Sequence, residues 1–171
     1  MQTDQIRDAV ARAAAHMEAN PKDAISEDKP ARAILDDGLR FSIDDQKSWR
    51  VTTDMPKALG GDGSAPSPGW LRRAAQAACE ASMIAIRAAQ EQIELERLEV
   101  QIGSSSDDRG MLGIEDKANP GPNESWARVT ISAKGASAEK LREIVEWAEA
   151  HSPVTDALCR AVPHKLQIDV V

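Results

Sequence analysis

Small and apolar side chains recur every three or four residues over positions 3–19, which predicts an amphipathic helix. Thr3 can cap its start. Residues 21–30 are polar and include two prolines, so they are predicted to form a linker. These patterns divide the chain into an N-terminal helical arm (1–20), this linker, and a main domain (31–171). An isolated amphipathic arm needs a surface for its apolar stripe, so we expect it to dock against a partner chain.

The first part of the main domain alternates apolar and polar residues, which is a strand pattern. Residues 31–35 and 39–43 flank the sequence Asp36-Asp37-Gly38, and Asp-Gly supplies the positive φ that a tight hairpin turn requires. Residues 48–53 predict a third strand with β-branched side chains at its centre. Glycines and prolines crowd residues 56–68, which are predicted to be a loop.

A long, alanine-rich helix is predicted from about Pro68 to Gln92. Ser67 is a suitable N-cap, and a proline fits the first helical position. Eight alanines lie between Leu71 and Ile93. Because so little side chain lets another backbone approach closely, we expect this helix to be central to the fold.

The rest of the chain again mixes strand and helix patterns. A long polar stretch, residues 103–125, is predicted to be a loop. Ser137 can cap one helix, and Ser152 can cap a shorter one. The predicted elements are strands at 97–102, 126–131 and 166–170 and helices at 138–150 and from 153 to about 162. The order of elements along the whole chain gives an α+β fold class with antiparallel sheet.

The composition narrows the function classes. The 171 residues include 21 Lys and Arg against 28 Asp and Glu, for a formal charge of −7. An acidic surface repels phosphates, and aromatic residues make up 3% of the chain, so no nucleic-acid partner is expected. No apolar run reaches the roughly 18–20 residues of a membrane helix, and the N-terminal segment lacks the apolar stretch of a signal peptide. We therefore expect a cytoplasmic protein with no membrane partner.

Cys79 is the first candidate for chemistry, and two interpretations stay open: a reactive thiol or a small buried residue. It lies about three turns into the long helix, beyond the reach of the helix dipole. Its neighbours at helical spacing carry no cation, and the adjacent Glu80 would oppose formation of the thiolate. Activation would need an arginine from elsewhere, and Arg32, Arg40 and Arg50 on the early strands are the candidates.

The other candidate sites are weaker. Cys159 lies roughly 10 Å along the helix axis from Ser152, at nearly two turns, and is interpreted as structural. The two cysteines, His151 and His164 lack the spacing of zinc ligands, so no metal site is predicted. The glycines of Leu59–Gly63 match neither phosphate-binding motif, so no cofactor is predicted. Hydrolysis by Ser152 would have the adjacent His151 as its base, but the chain has no GxSxG motif.

Four stretches, in a fixed order, resemble the OsmC/Ohr family of osmotically inducible and organic hydroperoxide resistance proteins. They are LGGDG at 59–63, SPGWLRRAAQAAC at 67–79, LEVQI at 98–102 and HSPVTDAL at 151–158. The resemblance covers about residue 31 to the C-terminus. It implies an OsmC-like α+β fold and an intertwined homodimer in which central long helices are wrapped by antiparallel sheets. It also implies an oxidative-stress role, since the best-known members reduce organic hydroperoxides with two cysteines, an arginine and a glutamate.

The resemblance assigns these roles to positions of this chain. The peroxidatic cysteine matches Cys79, and one of Arg32, Arg40 and Arg50 matches the arginine. Ser152 stands where the family has its resolving cysteine, and Gly69 stands where it has its glutamate. Two hypotheses follow. The first is a non-catalytic or ligand-binding homodimer with lost or altered peroxidase activity. The second is a one-cysteine, thiol-dependent hydroperoxide reductase, with a small hydrophobic hydroperoxide or other ligand at the dimer interface in either case.

Overall fold

The computed structural model describes residues 3–171, and the chain forms two compact units. The N-terminal unit comprises residues 8–75, and the C-terminal unit comprises residues 76–171 together with residues 3–7. The predicted first helix is confirmed as α1, Thr3–Ala19. The division into arm, linker and main domain stays a prediction.

Three antiparallel strands form the sheet of the N-terminal unit, in the order β1-β2-β3. They are β1 (Arg32–Asp37), β2 (Arg40–Asp44) and β3 (Arg50–Thr53). The first two make the predicted hairpin, and Gly38 takes the positive φ, +54°, that its turn requires. The predicted linker contains one short 3₁₀ helix, Pro21–Ala24.

The long helix, α2 (Pro68–Gln90), begins where the sequence predicts. The Ser67 hydroxyl accepts a hydrogen bond from the backbone N–H of Trp70 at 3.3 Å, which satisfies one of the free donors of the first turn. The helix ends as Gln92 adopts a positive φ of 58°. A second short 3₁₀ helix, Lys57–Leu59, lies in the loop before α2.

The C-terminal unit pairs a long two-stranded ribbon with helices. Strands β4 (Leu95–Ser106) and β5 (Pro122–Ala133) are antiparallel, and the short helix α3 (Asp108–Met111) lies between them. Helices α4 (Ala138–Ala150) and α5 (Pro153–Cys159) follow, each capped by the predicted serine.

The core of this unit forms where α2 meets α4. Ile84 and Ala88 from α2 pack with Ile144 and Ala148 from α4, and all four are buried. The central position expected for the alanine-rich helix stays a prediction. The partly buried apolar side chains around this cluster are Met83, Ile93, Leu95, Leu98, Val100, Val129, Ile131, Val145 and Trp147.

Two predictions of secondary structure are wrong. Residues 103–125 are not all loop, because β4 continues to Ser106 and β5 begins at Pro122. The ladder there pairs polar residues, such as Ser104 with Ser125, so apolar alternation did not reveal it. The predicted final strand at 166–170 does not form, and the chain after Arg160 has no regular structure. Its alternation meets no pairing strand in the described part of the chain, and a strand is defined by its ladder.

None of the helices among residues 3–171 combines the length and the apolar character needed to cross a membrane.

Candidate functional site

The structure places Cys79 and Ser152 in direct contact. The Ser152 hydroxyl donates a hydrogen bond to the Cys79 sulfur at 3.3 Å, although the two residues are 73 positions apart. Ser152 is 1% exposed, whereas Cys79 is half-buried. The thiol is therefore reachable, and the group that faces it from α5 is a hydroxyl.

Local helix chemistry fixes the position of Ser152. It is the N-cap of α5, and its oxygen accepts a hydrogen bond from the backbone N–H of Thr155 at 3.3 Å. Its carbonyl accepts from the N–H of Asp156 at 2.9 Å, the first turn of the helix. The oxygen is thus used as an acceptor by the cap, which leaves its proton free to point at the sulfur.

A buried carboxyl next to the cysteine is a feature that the sequence analysis missed. Glu80 is 1% exposed, and its Oε1 accepts hydrogen bonds from Gln76 Nε2 and from Thr155 Oγ1, each at 3.0 Å. A glutamate at i+4 from a glutamine in an otherwise small-residue helix was the available signal. Adjacency alone suggested an effect on Cys79, but the sequence could not show that Glu80 is buried against α5.

Glu149 lies at the end of α4. Partial burial raises the pKa of Glu149, and the neighbouring Glu80 carboxyl raises this pKa further. No lysine, arginine or histidine within the described residues forms a salt bridge with either carboxyl.

Gln76 leaves one buried acceptor unsatisfied. The residue is 6% exposed, its Nε2 donates to Glu80, and its Oε1 has no hydrogen-bond partner. Gln76 lies three residues before Cys79, on the same side of α2. A buried acceptor without a donor costs about 1–3 kcal/mol, so a donor supplied by another molecule would be favourable there.

The candidate arginines and Gly69 belong to the N-terminal unit. Arg32 pairs with Asp44, with Nη2 and Oδ2 3.0 Å apart, and this pair lowers the pKa of Asp44. Arg40 Nη1 donates to the Ser64 hydroxyl at 2.5 Å. Arg50 begins β3. Gly69 is the second residue of α2, and a Cβ there would meet no atom closer than 3.9 Å.

The remaining candidates do not join this group. Cys159 is the last residue of α5, is exposed, and like Cys79 is a free thiol. The His151 ring stacks on Trp147, and its Nδ1 lies 2.7 Å from the Trp147 carbonyl oxygen. Since a carbonyl can only accept, Nδ1 donates to it, and this bond holds the His151 ring against Trp147. His164 lies in the segment after α5.

Comparison with known proteins identifies the fold. A family model described as OsmC-like protein matches residues 61–167. The OsmC-like protein of Mycoplasma pneumoniae is 17% identical, with 79% of this chain and 89% of that chain covered at a TM-score of 0.66. An OsmC-like protein of unknown function from Vibrio cholerae is 9% identical, with 77% and 94% covered at a TM-score of 0.64.

A third similar structure has a name that refers to peroxides. The organic hydroperoxide resistance protein OsmC of Legionella pneumophila is 21% identical, with 78% of this chain and 91% of that chain covered at a TM-score of 0.57. At such identities the likeness concerns the fold. A comparison with curated proteins finds no significant match. The family model spans well over half of the residues, so the chain belongs to the OsmC-like family.

Proposed function

We propose that this chain is a homodimeric OsmC-type protein that binds a ligand or acts structurally and does not carry out two-cysteine hydroperoxide reduction. The observation that carries the proposal is the 3.3 Å contact between the Ser152 hydroxyl and the Cys79 sulfur. A resolving thiol would have to attack an oxidised Cys79 from this position, and a hydroxyl forms no disulfide. Cys159 lies at the other end of α5.

The surroundings of Cys79 also favour an unreactive thiol. The residue lies about three turns inside α2, so the helix dipole contributes little there. The adjacent Glu80 is buried and has no salt-bridge partner among the described residues, so no cation offsets its effect on a thiolate. Both features support a site that binds a ligand without a redox reaction at Cys79.

The ligand-binding form of the proposal is supported by Gln76. Its buried Oε1 lacks a donor, as described above. A ligand with an N–H or O–H group would satisfy this atom beside the half-buried Cys79. Small hydrophobic molecules with one such donor, including hydroperoxides, belong to this class, and we place the ligand at the dimer interface.

The homodimer is supported by apolar surface that a single chain leaves uncovered. Residues 122–128 of β5 are all exposed, and Trp126 is half exposed. A two-stranded ribbon is marginal in water unless another surface covers it. The segment after α5 likewise exposes Leu166, Ile168 and Val170. A second copy that covers these surfaces would remove them from water. A cytoplasmic setting, in keeping with two free cysteines, completes the proposal.

A one-cysteine peroxidase is the second candidate, and the same hydrogen bond favours it in a different way. A hydroxyl that donates to sulfur also stabilises a thiolate. The Cys79 thiolate would attack a hydroperoxide, the O–O bond would break, and the alcohol would leave with a proton as sulfenic acid forms. Two external thiols would then return Cys79 to the thiol through a mixed disulfide, with release of water.

Consumption of cumene hydroperoxide with dithiothreitol separates the two candidates. The proposal predicts that the wild type, Cys79→Ser and Cys159→Ser all give the rate of buffer alone. Turnover in the wild type and in Cys159→Ser that is lost in Cys79→Ser would overturn it in favour of the one-cysteine enzyme. Sedimentation equilibrium tests the dimer, and a monomer at micromolar concentration would contradict that part.

A further inference from the structure

A charged cleft lies at one end of the sheet in the N-terminal unit, where β1 begins and β2 turns into β3. Its volume of about 450 Å³ is within the range of small-molecule sites. The residues that line it are Arg32, Asp44, Gln46, Lys47, Ser48, Trp49 and Arg50. All seven belong to the N-terminal unit, whereas Cys79 and Ser152 belong to the C-terminal unit.

We propose that this cleft binds a planar aromatic anion, such as an aryl carboxylate, with Trp49 as the stacking surface and Lys47 and Arg50 as the counter-charges. This inference goes beyond the proposed function, because it concerns a second site in the other unit of the chain. It does not require a ligand at Cys79, so the failure of one proposal leaves the other standing.

Trp49 offers an apolar ring that the sheet does not cover. Its side chain is 77% exposed, although tryptophan is a highly buried residue type on average. Its backbone is held in the turn, since its N–H donates to Asp45 Oδ1 at 3.0 Å and its carbonyl accepts from the Asp45 N–H at 3.4 Å. An indole at the wall of a cleft gives a planar ring a surface for offset or edge-to-face packing.

The charges that remain available in the cleft are positive. Asp44 is engaged by Arg32, whose Nε donates to Oδ1 at 3.2 Å and whose Nη2 lies 3.0 Å from Oδ2. The Asp45 carboxylate accepts three backbone N–H groups of the turn. Lys47 and Arg50 form no salt bridge in the part of the chain that the structure describes. An anion therefore complements this cleft, on a chain whose formal charge is −7.

Gln46 adds a polar group at a strained position. Its φ is +62°, in the left-handed region that favours glycine. Such strain at other residue types costs free energy and tends to gather at ligand sites. The Gln46 side chain lines the cleft, and its amide can donate a hydrogen bond to a carboxylate. The strained backbone thus supports a role of this side chain in binding.

The test is isothermal titration calorimetry of the full chain with 2-naphthoate at low ionic strength, and saturable binding of one ligand per chain is expected. Two further probes each lack one property of this ligand. 2-Naphthalenemethanol has the rings without the charge, and cyclohexanecarboxylate has the charge without an aromatic ring. Each should bind about three- to tenfold more weakly. No saturable binding of 2-naphthoate, or equal affinity for either further probe, would overturn the proposal.

Variants locate the binding site. Trp49→Ala should weaken the binding of 2-naphthoate about tenfold. Arg50→Gln should weaken it about threefold, and this loss should shrink as salt is added. Trp70→Ala and Lys57→Gln are the matched controls, because they remove an exposed indole and an exposed cation outside the cleft. Both controls should bind as the wild type does, and Trp49→Ala with wild-type affinity would refute the assignment of the site.

Gln46→Gly should have opposite effects on stability and on binding. Glycine relieves the left-handed backbone, so the midpoint of urea denaturation should rise. Loss of the amide should weaken the binding of 2-naphthoate about two- to fivefold. Unchanged or tighter binding would refute the role of the Gln46 side chain.

Sedimentation equilibrium of Trp49→Ala tests whether a second copy of the chain covers the cleft instead. The wild type and Trp49→Ala should have the same oligomeric state. A variant that dissociates at a concentration where the wild type does not would assign the cleft to an interface between copies and would overturn the proposal.

Discussion

The hydroxyl of Ser152 donates to the sulfur of Cys79 across 3.3 Å while its oxygen caps helix α5. The cap fixes the oxygen, and the fixed oxygen directs its proton to the thiol. A side chain at position 152 therefore has one conformation that serves both the fold and the contact. Changes at this position can alter the chemistry of Cys79 without moving the helix far.

Ser152→Cys is expected to form a disulfide with Cys79 under mild oxidation. The new sulfur would occupy the place of a hydroxyl that already touches Cys79, and a disulfide needs a small adjustment from this separation. Hydrogen peroxide would oxidise one thiol to the sulfenic acid, and the second thiol would displace water from it. Intact mass spectrometry without reductant would show the loss of two hydrogens.

Ser137→Cys is the matched control for this disulfide, both variants being made with Cys159→Ser. Ser137 caps α4 as Ser152 caps α5, with its oxygen accepting from the N–H of Lys140 at 3.1 Å. The substitution therefore removes an equivalent cap without placing a thiol beside Cys79. Equal oxidation of the two variants would mean that proximity to Cys79 does not decide the reaction.

Much of the fold could be predicted from local pattern, because caps and turns are local. Ser137 and Ser152 cap their helices, and Gly38 makes its hairpin turn, as residue types alone indicated. The outer part of the β4–β5 ribbon could not be predicted, since polar residues such as Ser104 and Ser125 pair there and the strand has no apolar alternation. The strand predicted at residues 166–170 was wrong for the opposite reason, because this segment has strand alternation but no pairing strand among the described residues.

Only part of the candidate site could be predicted from the sequence. Cys79 and Ser152 could be proposed from the resemblance to a family, but their contact depends on the packing of α5 against α2. The contact between Glu80 and Thr155 has no sequence motif, because it joins α2 to α5. Sequence spacing predicts which residues share one face of a helix or strand. It does not predict which residues of different elements come into contact in the core.

Gly69→Glu is expected to stabilise the protein. Gly69 is exposed in the first turn of α2, its φ is not positive, and a Cβ there would meet no atom closer than 3.9 Å. Replacing a helical glycine gains about 0.5–1 kcal/mol, and a negative charge near the helix N-terminus adds about 0.3–1 kcal/mol at low salt. Urea denaturation should show a higher midpoint with an unchanged slope.

Gly69→Gln and Gly69→Lys separate the two contributions to this gain. All three substitutions supply the same helix propensity to within a few tenths of a kcal/mol, but lysine has the unfavourable charge for this end of the helix. The expected order of stability is Glu, Gln, Lys, and it should converge as salt is added. A lysine variant as stable as the glutamate variant at low salt would refute the charge contribution.

Gly103→Ala is expected to destabilise the β4–β5 ribbon. The two residues Gly103 and Trp126 are paired in the ladder, and a Cβ on Gly103 would lie 2.1 Å from Cζ2 of the indole ring. The ring must move or the strands must separate, at a cost of about 1–3 kcal/mol. Thermal unfolding should show a lower Tm than the wild type.

Removal of the indole should rescue this variant. In Trp126→Ala the steric conflict is absent, so Gly103→Ala should cost far less in that background than in the wild type. A double-mutant cycle measures the difference as an interaction free energy. Additive effects of the two substitutions would mean that the ring does not lie over Gly103 in solution.

The dependence of stability on pH should carry the signature of Glu149. Its pKa is raised in the folded state by burial and by Glu80, so its contribution to stability is fully present below the unfolded pKa of about 4.3 and is lost as the pH rises through the folded value. Carboxyls whose pKa the fold lowers, such as Asp107 at about 2, have the opposite sign, and their contribution is lost as the pH falls. Glu149→Gln leaves those groups in place, so the difference between wild type and variant in urea midpoint isolates Glu149. This difference should move in favour of Glu149→Gln between pH 4.5 and pH 8, and a difference that does not change with pH would show that Glu149 titrates alike in the folded and unfolded chains.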